Sequence, residues 1–243
     1  MIKGLCVAAS IVLALAQVGT AAAAQKPGSG LPPPAARPDL TGYWVSVVTQ
    51  DWRFRMITPG PGEYAGIPIN QAAKAVADAW DPARDEAANA QCRSYGAAGL
   101  MRVPGRLHIT RVDDHTLKVE MDDGMQTRLL HFDAPQGAQA PPNAQTPPSW
   151  QGYSAASWDD ATLKVFTDHM RPGYIRKNGV PYSAEAKLTE YWDVFKESDG
   201  AERLVITSLL EDPVYLQAPY AFSPIFRRER DGSMWDPTPC KSQ

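Results

Sequence analysis

The chain of 243 residues has little of what most site chemistry requires, beginning with only three cysteines and four histidines. The histidines His108, His115, His131 and His169 include no pair at i, i+2 or i, i+4 spacing. Close spacing of that kind is how one strand or helix aims two imidazoles at one ion, so neither a metal nor a cofactor is expected. There is no G-x-S-x-G elbow, no phosphate loop, no dinucleotide glycine pattern and no Ser/His/acid order. There is no basic excess either: 24 Lys and Arg stand against 27 Asp and Glu, a formal net charge of −3, and no basic run occurs, which argues against a nucleic-acid partner. No internal repeat is found. The apolar run Leu5 to Ala16 is too short to span a bilayer and no basic stop follows it, so stable membrane insertion is not expected.

That run instead has the layout of a secretory signal: the early cation Lys3, the apolar stretch, then small residues ending at Ala22-Ala23-Ala24. Cys6 lies too near the start for a lipoprotein site. Cleavage after Ala24 would deliver residues 25–243 to the periplasm or the medium. Residues 25–38, with Pro32-Pro33-Pro34, read as an extended leader, and 39–243 as a single domain. Only Cys92 and Cys240 remain in the mature chain, and an oxidising compartment favours joining them. The long loop so closed is worth about 5 kcal/mol in the chain-entropy picture. Two free thiols are the alternative.

Alternation with turn punctuation dominates the rest. Strands are expected at 43–49, 52–57, 106–110, 117–121, 126–132, 161–167, 187–195, 203–210 and 222–228, with hairpin turns at Asp113-Asp114, Asp123-Gly124 and Ser198-Asp199-Gly200. Nine strands in one domain of this length call for closure. A helical insertion is expected at about 70–91: Asn70 can cap a helix from Gln71 to Trp80, and Asp81-Pro82 can start a second, with Asp85 and Glu86 near its positive end. Residues 143–148, flanked by Pro141-Pro142, read as a long loop.

Gly42-Tyr43-Trp44 on the first strand and Arg227-Arg228 on the last resemble the lipocalin-like (calycin) pattern. The resemblance implies an antiparallel barrel in which Trp44 plugs one end and Arg227 or Arg228 packs across its ring, a cation–π contact of about 0.5–2 kcal/mol. More broadly, "SWQGYSAASWDDATLKVFTDHMRPGYIRKNGVPYS", "LTEYWDVF" and "LLEDPVYLQAPY" resemble recurring blocks of an uncharacterised family of secreted bacterial proteins, which brings no activity with it.

Several residues could carry chemistry. His108 and His131, in strands of one meander, could meet across strands as acid and base, or serve as structural histidines. His169, Arg171, Tyr174 and Arg176 form the densest polar cluster, in which paired guanidinium donors could clamp a carboxylate or phenolate. Arg53 and Arg55 alternate with Trp52, Phe54 and Met56; they either enter the barrel, with Glu190 and Asp193 as partners, or face solvent while the aromatics pack. In Thr189 to Phe195, Tyr191 and Asp193 share one face and Glu190 and Trp192 the other, as in a barrel wall covered on both sides. Tyr215, Tyr220 and Phe222 could close a pocket over a flat ligand or cap the barrel.

The expectation is a secreted or periplasmic binding protein for a small hydrophobic or aromatic, anionic molecule, with Arg53, Arg55, Arg171, Tyr174, Arg176, Tyr191 and Trp192 as ligand contacts. The alternative is a cofactor-independent lyase, isomerase or hydrolase using His108, His131, His169 or Asp193 as proton shuttle. A third reading, a structural or envelope protein, requires a lumen packed by Leu107, Ile109, Val119, Leu130 and Trp192. Oligomeric state is left open.

Overall fold

The structure, a computed structural model, describes Met1 and residues 37–132 and 147–242. The expected signal segment beyond Met1, the expected leader as far as residue 36 and the expected loop as far as residue 146 lie outside the described residues. The chain divides into two compact units, Met1–Pro33 and Pro34–Gln243, and only the second is described below.

Strand β1 (Gly42–Val47) is followed by helices α1 (Trp52–Met56), α2 (Gln71–Asp78) and α3 (Pro82–Ala87), a 3-10 turn (Gln91–Tyr95) and α4 (Ala97–Leu100). A meander follows: β2 (Arg106–Asp113), β3 (Thr116–Met121), the two-residue β4 (Asp123–Gly124) and β5 (Gln126–His131). Then come β6 (Tyr153–Asp159), β7 (Thr162–Asp168) and a small hairpin, β8 (Gly173–Arg176) with β9 (Val180–Tyr182). The long pair β10 (Lys187–Lys196) and β11 (Glu202–Glu211) precedes β12 (Tyr220–Phe222), β13 (Ile225–Arg228) and β14 (Thr238–Pro239).

The sheet runs β10-β7-β6-β5-β3-β2-β1-β13-β11, and β11 pairs back onto β10 from Lys187↔Glu211 to Lys196↔Glu202. Nine strands therefore close into a barrel, and β12 extends the sheet beside the far end of β11. The pairings around the barrel are antiparallel except β5–β6, which is parallel. A parallel neighbour cannot be reached by a tight hairpin, which accounts for the long connection between them.

Period-two alternation decides what enters the barrel. On β2, Leu107 and Ile109 are buried between half-exposed His108 and Thr110; on β3, Leu117, Val119 and Met121 are buried between Lys118 and Glu120. With Trp44, Leu130, Leu163, Val165, Trp192, Ile206 and Phe226 they form one core that fills the lumen. Leu107, Ile109, Val119, Leu130 and Trp192 are each 1% exposed or less.

Trp44 closes one end. It pairs in register with Arg228, whose guanidinium lies 4.1 Å from its ring centroid. The indole N–H donates to the carbonyl of Leu40 at 2.9 Å, and Arg228 donates to the carbonyls of Asp39 and Thr41 and to the carboxylate of Glu202. Gly42 has φ +107°, and a Cβ there would stand 3.2 Å from Arg228 Nη1, so this position needs glycine for both conformation and space. A second core, including Met170, Tyr182, Leu188, Leu210, Ala98 and Leu216, covers the opposite end. The disulfide Cys92–Cys240 forms, with Cα atoms 5.1 Å apart. It secures the tail, whose β14 adds to β4.

One polar layer crosses the apolar lumen. Glu190 lies on the face of β10 that carries Leu188 and Trp192, so alternation forces its carboxylate inward. Arg128 meets it at 2.5 Å, and also donates to Ser154 Oγ at 2.8 Å and Thr167 Oγ1 at 2.6 Å. Both side chains are at most 1% exposed. Such a pair is tolerable only because each charge has the other.

Three expectations need correction. Residues 52–57 do not form a strand but the short helix α1, because β1 is already paired on both edges, with β2 and β13, and offers no free ladder. Strand β6 was not anticipated; Tyr153-Ser154-Ala155-Ala156-Ser157 has weak strand propensity, and its small inward side chains leave room for Arg128 to reach across. These two errors cancel in the count of nine. The helical insertion also extends beyond 70–91, occupying the whole connection from β1 to β2, although Asn70 and Asp81 cap α2 and α3 as expected, accepting from Ala73 N and Ala83 N.

Arg128→Met is expected to destabilise the fold by about 3–5 kcal/mol, since it strands Glu190 in an apolar interior. The double variant Arg128→Met/Glu190→Leu should be markedly less damaging. Urea unfolding of both variants measures this, and equal losses would mean the two charges are not buried as a unit.

Candidate anion-binding site

The insertion and β8 assemble a cluster of cations beside the covered end of the barrel. Arg55 comes from α1, Arg102 follows α4, Arg176 ends β8, and Asp51 precedes α1 in the left-handed region at φ +55°. Arg102 is 7% and Arg176 3% exposed. Arg102 Nη2 lies 2.5 Å from Asp51 Oδ2, and Arg176 Nη2 lies 3.7 Å from the same oxygen. Arg55 Nε donates to the carbonyl of Arg102 at 2.8 Å and its Nη2 to Ser46 Oγ at 2.9 Å. Arg176 donates to the carbonyls of Glu63 and Ala65 at 3.2 and 3.1 Å.

Aromatic side chains frame these guanidinium groups. Arg102 donates to the Tyr220 hydroxyl at 2.9 Å and stands 5.9 and 5.7 Å from the ring centroids of Tyr220 and Phe222; Arg176 stands 4.4 Å from that of Phe54. Asp51, Arg55, Arg102, Tyr220, Phe222 and Ser223 line a pocket of about 200 Å³. A smaller recess of about 40 Å³ adjoins Arg55, Arg102, Arg176, Lys177 and Ile57.

One carboxylate for three guanidinium groups leaves a local surplus of positive charge. Burial first, and then the charge of Arg102, pull Arg55 down to about 10. The same two causes lower Arg176. Arginine gives up its proton so reluctantly that it remains charged at neutral pH. The fold therefore holds an unfavourable charge distribution here that an entering anion would relieve. The forks and rings suit a carboxylate or phosphate carried on a flat apolar body.

A larger cleft, about 780 Å³, lies between the loops at 183–187 and 211–219 and residues 168–170. Its polar lining is mainly acidic, including Asp168, Glu185, Glu211 and Asp212. The Asp212 carboxylate is committed to loop structure, accepting from Ser183 N, Ser183 Oγ and Val214 N at 2.6, 2.8 and 2.9 Å. His169 opens onto this cleft with φ +57°, its Nδ1 3.8 Å from Asp168 Oδ1, beyond hydrogen-bonding distance.

Of the residues singled out in the sequence, Arg55 and Arg176 come together, and Tyr220 and Phe222 join them. The others are dispersed. Arg53 pairs with Glu63 at 2.5 Å and Glu190 with Arg128, so the anticipated pairing of Arg53 and Arg55 with Glu190 and Asp193 does not occur. Asp193 accepts from Thr162 Oγ1 at 2.5 Å. Trp192 is in the core, and Tyr191 faces outward with Lys164 5.8 Å from its ring centroid. Arg171 stacks on Trp150 at 4.2 Å, while the Tyr174 hydroxyl bonds Arg93 and Asp85 at 3.2 and 3.3 Å. The register shift between Tyr174 and Arg176 contributes to sending these neighbours to different partners.

His108 stacks on Tyr43 at 4.1 Å with its Nδ1 3.4 Å from Glu120, and His131 stacks on Tyr153 at 4.9 Å. Strand β3 lies between their strands, so they do not form an acid–base pair. Sequence reasoning missed Asp51 and Arg102. The available signal for Arg102 was a lone cation within Leu100-Met101-Arg102-Val103, an otherwise apolar run that burial would carry inward.

Fold and site together define a closed, filled β-barrel that presents a cationic, aromatic-framed pocket outside its lumen. Neither a family model, nor a curated protein, nor a solved structure matches the chain.

Burial lowers the affinity of His131 for a proton, with the charge of Asp113 opposing that only in part. The unfolded chain, with a histidine value of about 6.5, then binds the proton first as pH falls. Stability contributed by this group should fall as pH drops below about 6.5 and level off below the lowered folded-state value. Urea midpoints measured through this range should show a shallower pH dependence for His131→Gln than for the unaltered protein.

Proposed function

We propose that the protein is a secreted or periplasmic binding protein for a small aromatic or hydrophobic anion, held at Arg55, Arg102 and Arg176 rather than inside the barrel. The observation that carries this reading is the sharing of one carboxylate, Asp51, by Arg102 and Arg176 beside a third guanidinium, next to a pocket framed by Tyr220 and Phe222. Aromatic area supplies affinity and the guanidinium forks supply orientation. A lumen ligand, which the lipocalin-like resemblance implies, has little support, because the interior is occupied by the protein's own side chains. The lyase, isomerase or hydrolase reading needs a proton-transfer pair, and the arrangement at the larger cleft is His169 with Asp168, 3.8 Å apart.

The packed lumen favours a second reading, a structural or envelope protein with no small-molecule site. Calorimetry of the purified chain with benzoate, indole-3-carboxylate and phosphate separates the two. Binding of an aromatic carboxylate should weaken about tenfold or more in Arg55→Gln, the loss expected for a charged hydrogen bond. Asp51→Asn should strengthen it by removing the competing carboxylate. If the folded protein takes up none of these anions at millimolar concentration, the structural reading replaces the binding one.

A further inference from the structure

Helix α1 is unusual in burying none of its residues. Trp52 is 60%, Met56 59% and the following Ile57 63% exposed. Trp52 and Met56 stand four positions apart, one turn of helix, and so share a face. Ile57 borders the recess that also touches Arg55, Arg102, Arg176 and Lys177, which places an uncovered apolar surface directly beside the arginine pocket.

The charge around this surface runs against that of the whole chain. The sequence carries a formal net charge of −3, yet Arg53, Arg55, Arg102 and Arg176 gather here around Asp51 and Glu63, and Lys177, which lies 4.0 Å from Asp123, borders the same recess. A second copy docking through the same face would bring this cationic surplus against itself, because a two-fold contact places the same patch on both sides. An anionic bilayer surface meets both halves of the patch. Tryptophan and aliphatic side chains settle among headgroups and upper acyl chains, and cations near the surface gain from the negative potential of anionic lipids. A chain carrying the expected secretory signal needs no spanning segment for this, and among the described residues no helix is long and apolar enough to cross a membrane.

Resting on the anion-binding reading of the arginine pocket, we infer that α1 and the adjoining arginines form a peripheral docking surface for anionic lipid bilayers, with a lipid phosphate or carboxylate entering the site at Arg55, Arg102 and Arg176. Trp52, Met56 and Ile57 lie shallowly among the headgroups, and the barrel remains in water.

Co-sedimentation of the mature chain with phosphatidylglycerol/phosphatidylcholine vesicles, against pure phosphatidylcholine vesicles, tests this. Binding should be confined to the anionic vesicles, weaken as salt is raised, and fall about fivefold for each cation neutralised at the surface, beginning with Arg53→Gln. Trp52→Ser/Met56→Ser changes only exposed side chains; it should keep benzoate binding while losing vesicle affinity by about tenfold or more. Intact benzoate binding with no vesicle binding, or equal binding to both vesicle types, would overturn the docking inference alone. So would a wild-type dimer that becomes monomeric in the double variant, because it would assign the patch to a second copy. Absence of both benzoate and vesicle binding would remove the pocket reading along with it.

Discussion

The pairing of β10 with β11 is the constraint on which the rest of the molecule depends. Those two strands are the ends of the sheet, and their ladder from Lys187↔Glu211 to Lys196↔Glu202 turns an open sheet into a barrel. Closure removes the exposed edges and gives each strand one inward row of side chains. With nine strands carrying Leu, Ile, Val, Phe and Trp on that row, the interior packs on itself. Any binding capacity must then be built outside, from the connections.

The long connection between β1 and β2 supplies the candidate site. Its helices cover one barrel end, and in doing so carry Asp51, Arg55 and Arg102 alongside Arg176 from the β8–β9 hairpin. The contrast with the polar layer inside the barrel is instructive. Arg128 and Glu190 are a balanced pair, one charge against one, and their role is explained by the fold itself. The Asp51 cluster is unbalanced, and burial pulls Arg55 and Arg176 toward the neutral form. Perturbed charges gathered at a pocket are a physical ground for naming a candidate site. The Trp44–Arg228 contact belongs to the balanced kind: the guanidinium is satisfied by Glu202 and by two carbonyls, so it secures the barrel end and is not available to a ligand.

Much of the architecture was legible because strand alternation is local. Leu107 and Ile109, or Leu188, Glu190 and Trp192, declare their shared face by spacing alone, and Asn70 and Asp81 declare helix starts by their side-chain chemistry. Trp52 to Met56 was misread because five alternating residues fit one turn of helix as well as a strand, and only the occupied edges of β1 decide between them. Of the candidate site, Arg55, Arg176, Tyr220 and Phe222 could be nominated for their residue type. Their assembly could not, since it joins positions far apart in the chain through a bulged hairpin and a helical connection.

By itself, the sequence indicated the mainly β character and the closure of the sheet, which follow from periodicity and strand number, and favoured the Cys92–Cys240 bridge from the count of cysteines; the tryptophan plug was implied only by the lipocalin-like resemblance. Only the tertiary structure decided that the lumen is full and that two arginines share one aspartate, with a third arginine beside them. Both depend on which side chains meet after the strands have closed, and that is a property of distance in space rather than of spacing along the chain.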